Sequence, residues 1–291
     1  MGIIDKFFGI QELDDHEKSN KDKLNTHLKN AKEILNSENP ETIQKYIHAI
    51  ITEMNIDLAL GSLEKISQRG KTFYNEIPDN FYKICKNIES LLESNGNLCK
   101  YIYFDVDIHN MEAHKLPYGE KVEFAINSPN FKINSIPVLV ASWSSSRIIE
   151  NIININVNNI LHPIDNIKNT YIYPLGFMAA TNGNHSQFSA ILQDEGTSYV
   201  ERIFDISKLY KYLKFDGDSY RIDTDSENQR LFPNWEEYVF SHEHESSKDE
   251  FYIGVLYEIG RLLLKKKPSV YPDNIYKQHA NCSWIPDPNA S

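Results

Sequence analysis

Cysteine is scarce in this sequence: Cys85, Cys99 and Cys282 are its only three cysteines in 291 residues. They lie far apart and form no C-x-x-C pair. This spacing excludes a zinc ribbon and argues against a disulfide framework. Isolated thiols are typical of a reducing compartment, so we predict a cytoplasmic protein.

Long apolar runs and excess positive charge are also missing. No stretch approaches the roughly 20 apolar residues that cross a bilayer, so we expect no membrane span. Lys and Arg number 30 against 41 Asp and Glu, which gives a formal net charge of −11. Because duplex DNA binding depends on clustered Lys and Arg, we expect no bulk duplex DNA binding.

The first region, residues 1–97, is predicted to be helical because its apolar residues recur at helical spacing. These residues are Ile43, Ile47, Ile50 and Ile51 in one segment and Phe81, Ile84, Ile88 and Leu92 in another. Gly96 follows the second segment, at a position where a left-handed glycine commonly ends a helix.

Short β-rich runs separated by Pro, Gly and Asn dominate the second region, residues 98–225. We expect single strands in "YIYPLGFMAA", residues 171–180, and in "SYVERIFDI". One helix, "SSSRIIENIINI", interrupts them and begins with a serine cap. The third region, residues 226–291, contains one more apolar helix, "EFYIGVLYEIGRLLLKKK". The sequence therefore predicts an α+β fold, in which a helical N-terminal region packs on a small mixed-sheet domain and the C-terminal helix packs back on the same core.

A polar turn follows the predicted strand at "TNGNHSQFSAIL", residues 181–192. Gly183 permits a positive φ, while Asn182 and Asn184 tolerate turns and present side-chain amides. The helix after the turn is predicted to begin near the histidine and to stop at Gly196. Unpaired N–H groups at such a helix start can bind an anion, so the sequence predicts a strand-turn-helix site here.

Three further side chains complete this candidate site. His185 can act as an acid, a base or a donor near neutral pH, and Ser186 can cap the helix or bind a phosphoryl oxygen. We expect Arg147, on the preceding predicted helix, within about 8 Å of these two side chains, where it would share an anion with them. The alternative is that the polar residues only close a tight turn.

Two other patterns suggest metal chemistry. "FDVDIHNMEAH" places Asp105 and Asp107 on one face of a predicted strand, as a divalent cation would require, with His109 and His114 close behind. Ordinary alternation in a half-buried strand explains the same pattern. "YEIGRLLL" is similar in shape to the zincin helix but lacks both of its histidines, so the metal ligands are missing. We assign no metal site and name no cofactor.

A group of motifs over residues 135–222 resembles an uncharacterised family of bacterial proteins. The motifs are Trp143 and Arg147 in "SW-x3-R", "LHPID", "YPLGFMAATNGNHSQFSAIL" and "RIFDISKLYKYLKFDGDSYRI". The resemblance implies a site built from the G-N-H-S turn, the Trp-x3-Arg helix and the aspartate of the following strand, Asp205. It implies no reaction, because that family has no assigned activity.

The turn also resembles that of the ParB and sulfiredoxin superfamily, whose members carry Asp/Asn-Gly-x-His-Arg between a strand and a helix. Asn182 to His185 match the first four positions, but Ser186 stands where the arginine belongs. In that superfamily the turn grips nucleotide phosphates, and some members hydrolyse nucleotides or cut DNA. The missing guanidinium removes the strongest phosphate contact, unless Arg147 replaces it.

Two hypotheses follow for the function. In the first, a bacterial protein binds a phosphate-bearing ligand, a nucleotide or a nucleic-acid end, with Ser186 and the adjacent N–H groups as the anion cradle and Arg147 as the charge partner. This hypothesis leaves open whether the ligand is also hydrolysed, with His185 as the acid/base. In the second, the turn is structural in a non-enzymatic protein-interaction module, and Trp143 belongs to its protein-binding face. The neighbouring genes would separate the two hypotheses, if they indicate a toxin, defence or plasmid-partition setting.

Overall fold

The computed structural model describes residues 19–64, 77–96, 102–107, 112–113, 130–156, 158–162, 166–223, 231–232, 239–240 and 248–265. Within these ranges the α-helices are α1 (Asn20–Leu35), α2 (Ile43–Leu63), α3 (Ile77–Ser94), α4 (Ser145–Asn154), α5 (Asn184–Gln193) and α6 (Lys248–Leu263). Short 3-10 helices cover Pro40–Thr42 and Ser207–Lys211. None of the helices in the described part of the chain is long and apolar enough to span a membrane.

Eleven short strands form three sheets in the same ranges. They are β1 (Phe104–Asp107), β2 (Glu112–Ala113), β3 (Asn130–Lys132), β4 (Val138–Leu139), β5 (Lys168–Tyr173), β6 (Phe177–Asn182), β7 (Thr197–Tyr199), β8 (Arg202–Asp205), β9 (Leu213–Phe215), β10 (Tyr220–Ile222) and β11 (Val239–Phe240). The main sheet has the order β2-β1-β8-β5-β6-β4, and the smaller sheets are β11-β10-β9 and β3-β7. The main sheet is mixed, because β4 pairs parallel to β6 and β5 parallel to β8 while its other pairs are antiparallel.

The predicted α+β class is confirmed. One hydrophobic core includes residues of α1, α2, α3, the main sheet and α6, so the C-terminal helix does pack back on the rest of the chain. The isoleucines at helical spacing in α2 are buried, and Gly96 ends α3 with a φ of 75°. The boundaries at residues 97 and 225 stay predictions.

The prediction of one strand over residues 171–180 is wrong. β5 ends at Tyr173 and β6 starts at Phe177, and the two strands pair antiparallel. Between them lie Pro174, which has no N–H to donate, and Gly176, whose φ is 82°. Both residues favour a turn over a continuous strand, so this segment is a hairpin.

Two other boundaries also differ from the prediction. "SYVERIFDI" contains two strands, β7 and β8, which belong to different sheets. Helix α5 ends at Gln193 and not at Gly196, because Asp194 already takes the left-handed conformation with a φ of 56°. Aspartate is one of the few non-glycine residues that visit this conformation readily.

Helix α2 lies along the free edge of β4. The Asn55 side chain donates to the Val138 carbonyl oxygen and accepts from the Val140 N–H, at 2.8 Å in both cases. Two turns later, the Ser62 hydroxyl donates to the Ser142 carbonyl at 2.7 Å. Buried side chains of a helix therefore hold the segment that leads from β4 into α4.

Candidate functional site

Two parallel strand-helix units form the candidate site. β4 leads into α4, and β6 leads through Gly183 into α5; because β4 and β6 are parallel neighbours, both helices begin at the same edge of the sheet. Neither helix start has a side-chain cap: Gly183 has no side chain, and the hydroxyl of Ser144, the N-cap of α4, contacts the Ser146 hydroxyl instead. Carboxyl ends of parallel strands are common ligand sites in mixed and parallel sheets.

Gly183 makes the turn possible. Its φ is 74° and ψ is 19°, in the left-handed region, as predicted, and α5 begins at the next residue. A Cβ at this position would lie 3.1 Å from a side-chain carbon of Ile167 and 3.2 Å from the Asn166 carbonyl oxygen. Glycine is therefore required both by the backbone conformation and by the close approach of the neighbouring chain.

The next two side chains bind the segment between β4 and α4. Asn184 is buried, and its Oδ1 accepts from the Ala141 N–H at 2.8 Å. His185 is also buried, and its Nε2 accepts from the Ser144 N–H at 3.2 Å. An accepting Nε2 carries no proton, so the neutral ring holds its proton on Nδ1.

Burial, reinforced by the positive charge of Arg147, lowers the pKa of His185 to about 4. The ring is therefore neutral near pH 7, which agrees with its role as an acceptor. Nε2 is occupied by a backbone N–H, and a base with such a low pKa is poorly matched to proton transfer near neutral pH. These observations favour a structural role for His185.

Ser186 is linked to the start of α4 through the side chain of Asn151. Its hydroxyl donates to Oδ1 of Asn151 at 2.9 Å, and Nδ2 of Asn151 donates to the Arg147 carbonyl at 2.8 Å. Sequence reasoning missed Asn151, because an asparagine one turn along an exposed helix has no distinguishing pattern. Asn151 connects the G-N-H-S turn to the backbone of Arg147, which is expected to supply the positive charge.

A buried polar network connects the first turn of α5 to two strands. Gln187 and Asn169 exchange two hydrogen bonds, at 3.0 and 3.1 Å, and Ser198 contacts both of them at 2.8 and 2.9 Å. All three side chains are fully buried or nearly so. The network joins β5, α5 and β7, and sequence reasoning missed it because its members lie in three separate segments.

Arg147 and His185 share one aromatic neighbour. The Arg147 guanidinium lies 5.7 Å from the centroid of the half-buried Trp143 ring, and the His185 ring meets that indole edge-on at 5.3 Å. Among the described residues, no carboxylate or carbonyl accepts a hydrogen bond from the exposed Arg147 guanidinium. Arg147 and His185 thus both contact Trp143, whereas the expected separation of about 8 Å between the guanidinium and His185 or Ser186 stays a prediction.

Two of the predicted ligand residues lie differently. Asn182 is exposed, and its Oδ1 accepts from the Gly183 N–H at 2.9 Å, so it stabilises the turn. Asp205 pairs with Tyr173 at one end of β5, whereas Asn182 pairs with Lys168 at the other end. Five residues of strand separate these ends by about 17 Å. The buried Asp205 carboxylate accepts from the Ser207 N–H, so it lies away from the turn.

Other described parts of the chain offer little competing chemistry. No group of three His, Cys, Asp or Glu side chains that could hold a metal occurs among the described residues, and His109 and His114 lie outside them. An open groove of about 560 Å³ runs along α2, lined among others by His48 and Glu53, and no residue of the turn lines it. This groove is therefore separate from the candidate site at the two helix starts.

A family model matches residues 10–270, and its description is a family of unknown function, DUF6710. The chain belongs to this family. No curated protein and no solved structure shows significant similarity to it. Membership of an uncharacterised family agrees with the first resemblance, whereas the resemblance to the ParB and sulfiredoxin superfamily gains no support and stays a prediction.

Proposed function

We propose that this member of the family binds a phosphate-bearing ligand, a nucleotide or a nucleic-acid end, between the first turns of α4 and α5. The observation that carries the proposal is the Arg147 guanidinium: it lies over Trp143 beside both helix starts and has no acidic partner among the described residues. The ParB and sulfiredoxin motif has an arginine where this chain has Ser186. In this proposal, Arg147 supplies the missing guanidinium.

The two helix starts add to the attraction for an anion. Each carries the partial positive charge of its helix dipole, and each lacks a side-chain cap that would compete for its N–H groups. The helices start on the same side of the sheet because their strands are parallel neighbours. A phosphate group between them would meet two sets of N–H donors and one guanidinium.

Hydrolysis through His185 is not part of this proposal. A general base must have a free lone pair near the proton it removes, and the lone pair of Nε2 already accepts from the Ser144 N–H. The low pKa of His185, about 4, also works against proton uptake near neutral pH. His185 would act as a positioning residue, which holds Trp143 and the start of α4 in place.

A second candidate is the non-enzymatic interaction module, in which the turn only supports the fold. The favouring observation is that Asn184, His185 and Ser186 all hydrogen-bond to the segment of residues 141–151. Side chains committed to internal hydrogen bonds do not need a ligand to explain them. In this candidate function the surface above them binds another protein.

Calorimetric titration separates the two candidates. The probes are inorganic pyrophosphate, a nucleoside triphosphate and an end-phosphorylated oligonucleotide, each titrated into the full chain. We expect at least one probe to bind and R147A to weaken its binding at least tenfold, because a charge-assisted hydrogen bond to phosphate contributes about 1.5–3 kcal/mol. A phosphate-release assay on the same samples should detect no turnover.

R221A is the matched control. Arg221 is an exposed arginine on β10, where it pairs with Asp216. Because both variants replace an arginine by alanine, they change the net charge by the same amount. Equal weakening by R147A and R221A would mean that binding reports only bulk charge. Failure of all three probes to bind the wild type would remove the ligand proposal and leave the interaction module.

A further inference from the structure

Helix α4 turns most of its apolar side chains outward. Of its four isoleucines only Ile148 is buried. Ile149, Ile152 and Ile153 are 50%, 43% and 67% exposed, and their spacing of three and four residues places them side by side along the helix. Isolated exposed apolar residues are ordinary, but a contiguous group marks an interaction surface.

Two residues of the segments next to α4 are also apolar and exposed. Leu192, in the last turn of α5, is 53% exposed, and Ile160, in the segment after α4, is 38% exposed. α4 and α5 pack side by side, and Gln193 donates to the Ile155 carbonyl where both helices end. α2 exposes a similar group, Ile56, Leu60 and Leu63, but this helix also buries nine residues, whereas α4 buries only Ile148.

The charges around this surface are mainly negative. Glu150 follows Ile149 in sequence, and Asp194 and Glu195 follow Leu192. All three residues are exposed, and the Asp194 carboxylate accepts from the Asn134 side chain. From residue 133 to residue 167 the sequence contains one basic residue other than histidine, Arg147, and residues 183–195 contain none. With a net charge of −11 for the whole chain, an approaching partner meets an apolar strip with an acidic rim.

We propose that the outer face of α4, formed by Ile149, Ile152 and Ile153, binds a protein segment whose apolar side chains are flanked by lysine or arginine. The negative rim favours such a segment and disfavours a second copy of this acidic chain. The inference rests on the interaction-module function and names its surface and the chemistry of its partner. It does not depend on the phosphate site.

The test uses two labelled amphipathic peptides in fluorescence anisotropy with the full chain. One contains only leucine and lysine, with leucine at helical spacing, and the other has glutamate in place of lysine. We expect the lysine peptide to bind and the glutamate peptide not to bind. The double variant I149Q/I153Q should weaken binding of the lysine peptide at least tenfold, because buried central side chains dominate such interfaces.

The double variant I56Q/L60Q is the matched control. It replaces an exposed pair on α2 with the same spacing of four residues, and neither double variant changes the net charge. Undiminished binding by this control, together with weak binding by I149Q/I153Q, would support the proposal. Thermal melts of both variants should match the wild type, since all four side chains are substantially exposed.

Three results would overturn the proposal. Equal binding by both double variants would place the interaction elsewhere on the chain, with the interaction-module function intact. Absence of binding by the lysine peptide would reject a basic amphipathic partner, whereas the internal hydrogen bonds of the turn, which favour an interaction module, would be unaffected. A wild-type dimer in light scattering that I149Q/I153Q converts to a monomer would show that a second copy of the chain covers this face.

Discussion

Two arginines among the described residues lie over aromatic rings, but their surroundings differ. Arg261, on α6, is largely buried over Tyr210 at 5.0 Å and pairs with Glu258 at 2.7 Å. It also donates to the carbonyls of Tyr210 and Leu213. Arg147 lies over Trp143, is exposed, and has neither an ion pair nor a side-chain hydrogen bond within the described residues.

The difference separates a structural cluster from a candidate site. The guanidinium of Arg261 donates to Glu258 and to two backbone carbonyls, and Glu258 in turn accepts from the Phe215 N–H at 2.8 Å. The turn residues beside Arg147 are committed in the same way, to the backbone and side chains of residues 141–151. Among the described side chains of the candidate site, Arg147 carries the positive charge that no acid pairs with, so we expect it to contact a phosphate together with the N–H groups of the two helix starts.

The largest expected effect comes from breaking the Arg261 cluster. R261A leaves the Glu258 carboxylate, which is buried, without its ion pair, and we expect the free energy of unfolding to fall by about 3–5 kcal/mol. R147A removes an exposed guanidinium and should change it by less than about 0.5 kcal/mol. Urea denaturation of both variants measures the contrast.

R261K sharpens this comparison. Lysine keeps the charge beside Glu258 but lacks the planar fork that reaches the carbonyls of Tyr210 and Leu213, so its destabilisation should be intermediate. Similar losses for R261A and R147A would show that both arginines have the same structural role.

The second effect concerns His185. H185A leaves the Ser144 N–H without its acceptor, and we expect a loss of about 1–3 kcal/mol, seen as an earlier thermal melt. H162A is the control, because His162 is an exposed histidine in the segment after α4. If H185A melted with the wild type, the histidine would not hold the start of α4, and an acid/base role would regain interest.

The pH dependence of stability should show a smaller effect of the same histidine. Its pKa is about 4 in the folded protein against 6.5 for an ordinary histidine, so the unfolded chain binds the proton first as pH falls. The contribution of His185 is complete above about pH 6.5 and is lost as the pH falls toward 4. Between pH 7 and pH 5 we expect the wild type to lose about 1–2 kcal/mol more than H185A does. Parallel pH profiles of the two proteins would contradict the lowered pKa.

The sequence predicted the fold class and the turn, because both depend on local patterns. Helical spacing of isoleucines identified α2, and glycine between two asparagines identified a left-handed turn followed by a helix. The hairpin has a local signal too, in Pro174 and Gly176, but the continuous apolar character of "YIYPLGFMAA" predicts a single strand.

The partners of the turn could not be predicted in the same way. His185 accepts from Ser144, and Asn169 contacts both Gln187 and Ser198; these pairs are brought together only by the packing of α4, α5 and the sheet. The position of Asp205 depends on the parallel pairing of β5 and β8, which sequence patterns do not reveal. Periodicity shows which face of an element is buried, but not which element covers it.

The contact between α2 and β4 has a consequence for strand addition at this edge of the main sheet. An edge strand normally presents unpaired N–H and C=O groups on which the strand of another molecule can add. Here the Asn55 side chain makes the two hydrogen bonds to Val138 and Val140 that a neighbouring strand would make. The Ser62 hydroxyl donates to the carbonyl of Ser142. The backbone groups at these three positions are therefore unavailable to a strand of another molecule. Protection of this sheet edge against amyloid-like growth thus depends on two polar side chains of a helix.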